Sequence, residues 1–300
     1  MLIKDIFKMK KPVISFEIFP PKKEDDIGTI YSTIEALKDL KPDFISVTYG
    51  AGGSTRDKTV EIASIVKNKY NIEALAHLTC IGLEEQGLTN ILEDLIKNNV
   101  HNIMALRGDL PQEMDKSVLD NSPFSHASDI ITSIKKRKDL CAGGACYPEM
   151  HPECTDFDKD IQNLKLKVHC GADFLVTQLF FDNNKFYSFM DKALKVGINV
   201  PVTAGIMPVT NKKQIERMVS LSNASLPEKF KRIMDKYEYN PEALKEAGIA
   251  YATEQIIDLL SWGIDGIHLY TMNRPETCRR IMNNITSIRY TLEEKEKIAN

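Results

Sequence analysis

Eight short apolar stretches, each of strand length, recur along this chain, and a helical pattern follows almost every one. The strand candidates are 13–19, 43–49, 73–79, 101–107, 141–147, 173–180, 200–206 and 265–271. Helical periodicity occupies 27–40, 56–70, 88–99, 127–138, 156–170, 184–196 and 211–220, then a longer helical insertion at 226–262 and a last helix near 275–288. Strands that alternate with helices need crossover connections and therefore a parallel sheet. Eight of them predict an α/β fold, a single (β/α)8 TIM barrel with the helical insertion between strands 7 and 8. The 300 residues are 43% hydrophobic, enough for one such core, so the chain 1–300 reads as one domain. Inside the insertion, Asn240-Pro241 supplies an N-cap and a first-turn proline, and Gly263 suits the stop after Trp262.

Charge and cysteine usage exclude several classes. A net charge of -3 lacks the basic face that neutralises phosphates, so no nucleic-acid partner is expected. The Lys135-Lys136-Arg137-Lys138 run reads as the solvated end of a helix. No stretch reaches the roughly 18 apolar residues of a membrane span, and the charged segment Met1 to Lys11 is no signal peptide, which points to a cytoplasmic protein. Cysteines 80, 141, 146, 154, 170 and 278 form no Cys-x-x-Cys pair and should be reduced thiols. His77, Cys80, Cys146, His151 and Cys154 match no short zinc spacing, so no metal is expected.

Seven of the strand candidates end in residues that a core strand would avoid. In a barrel the C-terminal rim of the strands gathers ligand and catalytic groups, so these ends predict one polar site and an enzyme. Glu17, in Val13-Ile14-Ser15-Phe16-Glu17-Ile18-Phe19, shares a strand face with Ser15. A carboxylate among Phe16, Ile18 and Phe19 should be desolvated, its pKa raised, and fit to act as a general acid; the alternative is a buried Glu paired to a lysine or to backbone N–H groups. The glycine-rich turn Thr48-Tyr49-Gly50-Ala51-Gly52-Gly53-Ser54-Thr55-Arg56 lets backbone approach a phosphate but is neither a Rossmann nor a P-loop fingerprint. In Arg107-Gly108-Asp109-Leu110-Pro111 the guanidinium can grip a phosphate or carboxylate and the Asp can accept from a heterocycle's ring N–H, or the two can form a plain ion pair. Tyr147-Pro148-Glu149-Met150-His151-Pro152-Glu153 is a rigid loop with an aromatic plane and a histidine. Behind it Asp160, Asn163 and Lys167 share one helical face.

Six ordered strings resemble methylenetetrahydrofolate reductase of the FAD-dependent bacterial type. They are Ser15-Phe16-Glu17-Ile18-Phe19-Pro20-Pro21, Ser46-Val47-Thr48-Tyr49-Gly50-Ala51, His77-Leu78-Thr79-Cys80, Ala105 to Pro111, Tyr147 to Glu153, and Thr177-Gln178-x-Phe180-Phe181-Asp182. The resemblance runs from about Val13 to Arg274. It implies a barrel that holds FAD and reduces 5,10-methylenetetrahydrofolate with NAD(P)H in a ping-pong cycle. Glu17 would be the general acid that opens the five-membered ring, and Asp109 would contact the pterin and tune the flavin. Gln178 would serve nicotinamide and pterin in turn, and Gln214 and Arg274 would contact the folate. FAD contacts would fall to Thr48, Tyr49, Ala51, His77, Arg107, Gly108, Asp109, Ala127, Tyr147, His151, Asp160, Asn163 and Lys167.

Three positions depart from the family pattern. Leu166 stands where some relatives carry a flavin-contacting Arg, Met218 where a substrate-stacking Phe can occur, and His126 where a Tyr can precede the alanine beside FAD. The resemblance also implies self-association, and it leaves the choice of NADH or NADPH and an electron-delivering partner subunit open. No inhibition by S-adenosylmethionine is expected, since no C-terminal regulatory domain like that of the eukaryotic enzymes is present. Two rivals remain: methyl transfer through a zinc-activated thiolate of Cys80, Cys146 or Cys154, and a flavin-holding relay subunit, against which Glu17, Asp109 and Gln178 together argue.

Overall fold

In a computed structural model, eight parallel strands close into a barrel in chain order. They are β1 (Val13–Ile18), β2 (Phe44–Val47), β3 (Glu73–Thr79), β4 (Asn102–Leu106), β5 (Cys141–Cys146), β6 (Phe174–Thr177), β7 (Val202–Ile206) and β8 (Gly266–Tyr270). The structure describes residues 1–21, 27–49, 56–108 and 122–299, with 56, 57 and 295–299 described in backbone only. The α/β barrel expected from the repeat is therefore the observed fold. The outer helices are α2 (Ile27–Lys38), α3 (Arg56–Asn68), α4 (Glu85–Lys97), α5 (Ala127–Ile134), α6 (Phe157–His169) and α7 (Asn183–Lys195). Between β7 and β8 lie α8 (Lys212–Ser222), α9 (Glu228–Tyr237) and α10 (Pro241–Trp262), so the expected insertion is two helices broken before Pro241. The last helix likewise divides, into α11 (Pro275–Asn284) and α12 (Thr286–Ala299).

One element has no counterpart in the strand–helix alternation. Helix α1 (Ile3–Met9) closes the N-terminal end of the barrel, where Ile3 and Ile6 pack on Val13, Phe44, Leu75, Met104, Cys141 and Phe174. With only seven residues it is too short to hold itself together in water, and burial of its apolar face supplies what propensity cannot. Its Ile3 N–H donates to Asn102 Oδ1 at 2.7 Å.

The same end is stitched by a repeated device. Asp43, Asp173 and Asp265 each precede a strand and accept from an N–H at the start of the neighbouring strand: Ile14 (2.7 Å), Ala142 (2.9 Å) and Val202 (2.9 Å). Each carboxylate also meets a lysine, Lys10 at 3.1 Å, Lys135 at 2.9 Å and Lys11 at 2.8 Å. Lys135 therefore does more than solvate a helix end. It anchors the strand pair β5 and β6.

Outward-facing Phe16, Ile18, Ile45, Val47, Leu78, Ile103, Leu269 and their neighbours join the helices in the main core. Inside, glycines make room for rings. A Cβ at Gly143 would lie 2.7 Å from the Phe174 ring, and one at Gly205 would lie 2.4 Å from the Thr177 carbonyl oxygen and 2.6 Å from the Tyr270 hydroxyl. A Cβ at Gly28 in α2 would meet nothing within 4 Å among the described residues. Gly205→Ala should cost about 1–3 kcal/mol by overpacking, because backbone has to move, whereas Gly28→Ala should gain up to about 1 kcal/mol from helix propensity. Urea unfolding checks both, and equal effects at the two sites would contradict this interior packing.

Candidate active site

Parallel register sets Ser15 beside His268 and Glu17 beside both Ser46 and Tyr270. Strand alternation then turns Ser15, Glu17, Ser46, His77, His268 and Tyr270 into the upper half of the barrel interior. Glu17 is buried, 7% exposed. Its Oε2 lies 3.5 Å from His268 Nε2, 3.5 Å from Ser46 Oγ and 3.6 Å from His77 Nε2. His268 is braced on its other nitrogen by Ser15 Oγ at 2.7 Å, and Ser46 Oγ also reaches its Nε2 at 3.3 Å. Phe16 and Ile18, expected to desolvate the carboxyl, point away into the outer core; the surroundings of Glu17 are histidine, serine and tyrosine.

Burial lowers the His77 pKa to about 4, against the opposing pull of Glu17 and with help from His268. His77 is thus neutral at pH 7, and its contact with Glu17 is no ion pair. Burial, then the charge of Glu17, pushes the Tyr270 phenol well above its ordinary value, so it stays protonated and donates to the Thr177 carbonyl at 2.7 Å. Thr271 Oγ1 donates to the Glu17 carbonyl, and Asn273 both donates to Phe19 O (2.9 Å) and accepts from Phe19 N (3.0 Å). The end of β1 is consequently held from the β8 side.

Around this pit the strand ends carry the other predicted residues. Thr48 and Tyr49 follow β2, and Thr48 O accepts from Thr59 Oγ1 at 3.1 Å. Ala51 and Asp109 lie outside the described residues. Arg107 and Gly108 follow β4; Gly108 takes a left-handed φ of 87°, and a Cβ there would sit tightly, 3.0 Å from the Thr79 Cβ. Arg107 pairs through both terminal nitrogens with Glu153, Nη2 to Oε1 at 2.8 Å, while its Nε is buried with no hydrogen-bond partner among the described residues. Tyr147 and His151 meet edge to face with centroids 4.7 Å apart, and the His151 N–H donates to Asp160 Oδ2 at 3.1 Å. Lys167 lies across Gly144 and donates to the Ala145 carbonyl. Burial shifts this group toward neutrality throughout: down for Lys167 and His151, up for Asp160. Ala127 is buried at the start of α5 behind His126, whose N–H donates to Asp129 Oδ2 at 2.8 Å, but Asn163 is exposed.

On the opposite side, Gln178 follows β6, its N–H bound to Cys146 O at 2.7 Å and its Oε1 accepting from Leu179 N at 2.9 Å. Gln214 stands in the first turn of α8, and Met218 one turn later packs on the insertion core around Phe181, Phe230 and Met234. Arg274 precedes α11 and donates to Thr210 Oγ1 at 2.5 Å, while Leu166 is exposed on α6. Burial holds the Cys80 and Cys146 thiols up at about 11 and about 12, so neither offers the ready thiolate that methyl transfer would need. No helix of the described residues is long and apolar enough to cross a membrane.

Residues 2–286 match the family model for methylenetetrahydrofolate reductase. The chain belongs to the methylenetetrahydrofolate reductase family. It is 37% identical over 272 residues to the 5,10-methylenetetrahydrofolate reductase of Pectobacterium carotovorum, covering 91% of this chain and 89% of that one. The Escherichia coli enzyme of the same name is 36% identical over 91% of this chain and 90% of its own. An Arabidopsis thaliana relative, methylenetetrahydrofolate reductase (NADH) 1, is 36% identical over 94% of this chain but 50% of its own. Family membership makes the chain an oxidoreductase that reduces methylenetetrahydrofolate. Among solved structures, the fold is similar to a Clostridium thermocellum protein described as binding two copies of 5-methyl-5,6,7,8-tetrahydrofolic acid, with TM-score 0.68 and 18% identity over 97% of this chain and all of that one. Dihydropteroate synthase from Xanthomonas albilineans, at TM-score 0.52 and 10% identity over 93% of each chain, shares the barrel.

Against this family frame, sequence reasoning missed His268, Ser46 as a partner of Glu17, and Asn273. A signal for His268 was present: in Gly266-Ile267-His268-Leu269-Tyr270 the non-aliphatic residues alternate with aliphatic ones, which sends both rings to one side. The depressed His77 pKa has a pH signature. Between pH 6.5 and 4 the unfolded chain binds a proton that folded His77 refuses, so stability falls as pH falls through that window. His77→Gln should remove a loss of order 1–3 kcal/mol from that window relative to the parent chain, measured by urea unfolding at pH 7, 5.5 and 4.5. Parallel pH profiles for the two proteins would place a charged imidazole at His77 instead.

Proposed function

We propose that this chain reduces 5,10-methylenetetrahydrofolate to 5-methyltetrahydrofolate with NAD(P)H as donor and FAD as cofactor, in a ping-pong cycle with Glu17 as general acid. The observation that carries the acid role is the buried Glu17 carboxyl at the C-terminal mouth of the barrel, in contact with His268, Ser46 and His77. A carboxyl whose Oε2 is held that way is oriented and shielded from water, and it can give a proton to the folate amine, opening the five-membered ring to an iminium that accepts hydride. Ser15 and His268 fix where that oxygen sits.

The residues present fit FAD. Arg107 has a buried Nε with no hydrogen-bond partner among the described residues, although its terminal nitrogens hold Glu153, and the desolvated Lys167 amine meets the neutral Ala145 carbonyl; both are cationic donors placed to take an anionic group, and Tyr147 offers an aromatic surface beside them. We assign Thr48, Tyr49, Ala51, His77, Arg107, Gly108, Asp109, Ala127, Tyr147, His151, Asp160, Asn163 and Lys167 to the cofactor. Bound there, FAD would supply two-electron transfer between nicotinamide and folate. Gln178, Gln214 and Arg274, with Asp109, bind the pterin and the rest of the folate. Gln178 is shared, so the two substrates take turns at one mouth.

Denaturing the purified protein should release FAD. Lys167→Met keeps the length and apolar stem and should weaken FAD retention at least about 10-fold, because an uncompensated cation–anion contact in a buried site is lost. Release of a different cofactor, or unchanged retention in the variant, would overturn this assignment.

Glu17→Gln keeps the volume and removes the acidic proton. Stopped-flow mixing with NAD(P)H should show flavin reduction within a fewfold of the parent, while reoxidation by methylenetetrahydrofolate slows by about 10²–10⁴-fold. Double-reciprocal plots for the parent should be parallel. Equal losses in both half-reactions would make Glu17 structural, and intersecting lines would end the shared-mouth reading.

A further inference from the structure

The loop after β5 and the end of α8 are joined by one side chain that none of the roles above uses. Glu149 follows Pro148, whose ring restricts the backbone, and the turn closes with Met150 N–H donating to Tyr147 O at 3.2 Å and Met150 in a left-handed φ of 75°. On the facing segment, α8 ends at Asn223, also left-handed at φ 59° and ψ 13°. That sharp exit aims Asn223 and Ser225 at the loop, with Ser222 and Ala224 buried on either side of Asn223. Ser225 N–H donates to Glu149 Oε1 at 3.1 Å and Ser225 Oγ–H donates to Oε2. Asn223 Nδ2 donates to the Glu149 backbone carbonyl at 3.1 Å. Both carboxylate oxygens are taken by one serine, a charge-assisted clamp with a defined direction.

The clamp joins two sides of the site. Tyr147 and His151 flank Glu149 with their rings in contact, and the His151 N–H is tied to Asp160, so the loop is the fixed partner. Helix α8 is attached differently: its first residue, Lys212, bonds Asp235 and Glu238 of the insertion at 2.9 Å each, and Thr210 before it is held by Arg274. Its far end meets the barrel rim at Glu149. We propose that Glu149 is a positioning residue for the folate half-reaction, setting the tilt of α8 and hence the reach of Gln214 and Met218 over the mouth. This rests on the reading of α8 as the folate side.

The test uses the FAD-loaded full chain with Glu149→Ala, Glu149→Gln and, separately, Gln214→Ala. In Glu149→Ala, hydrogen exchange across 212–230 should accelerate and KM for methylenetetrahydrofolate should rise about 3- to 10-fold, with kcat and flavin reduction by NAD(P)H within about twofold. Glu149→Gln should stay near the parent, since its amide oxygen accepts from Ser225 N–H while its NH2 donates to Ser225 Oγ. Unchanged exchange in Glu149→Ala overturns the clamp. Faster exchange with unchanged KM overturns the positioning role, as does equal loss in both half-reactions. Gln214→Ala separates the two readings: if it leaves the folate KM unchanged, α8 is not the folate side at all, and if it raises KM where Glu149→Ala does not, only the clamp proposal fails.

Discussion

The division of the barrel interior into a dry floor and a polar upper layer is the constraint on which the site depends. Phe44, Leu75, Met104 and Phe174 fill the lower half, and α1 seals it from below. His268 rests directly on that floor, its ring stacked over Phe44 with centroids 6.1 Å apart. Because no water can reach it from beneath, every polar atom of the upper layer has to find its partners within the layer. Ser15, Ser46, His268 and Glu17 do so, with the neutral His77 ring alongside the carboxyl. A leaking floor would let water satisfy those groups individually, and the orientation of Glu17 would be lost with them.

At the rim the partners are charged groups, some at the edge of water and some part-buried. Arg107 and Glu153, Lys167 and the Ala145 carbonyl, Asp160 and the His151 amide each tie one strand's end loop to the next element. Such contacts are individually weak when exposed but add geometric definition where several share one loop. Opposite them, the insertion builds a small core of its own from Leu179, Phe181, Met207, Ile215, Phe230 and Met234. Gly248 lets α10 approach the Val209 carbonyl so closely that any side chain there would collide, which docks the insertion on the barrel mouth. Two halves of one mouth thus have separate supports, and Glu149 spans them.

Much of this was legible in one dimension. Alternation between period-2 and period-3.6 patterns determined the barrel, because a parallel sheet of eight strands with intervening helices has few other ways to bury both faces. Polar residues closing apolar strands marked Glu17, His77, Arg107, Tyr147 and Gln178, since no core requires them there. Tertiary structure alone decided the rest. Helix α1 was invisible because seven residues carry no periodic signal and its stability comes from burial. The chain neighbours Phe16 and Ile18, expected to desolvate Glu17, are sent outward by strand alternation, and closure of the barrel brings in His268 from 251 residues away. Local pattern follows from steric rules within a few residues. Which distant side chains share a desolvated pit depends on the shear and closure of the whole sheet, and no short stretch of sequence contains that.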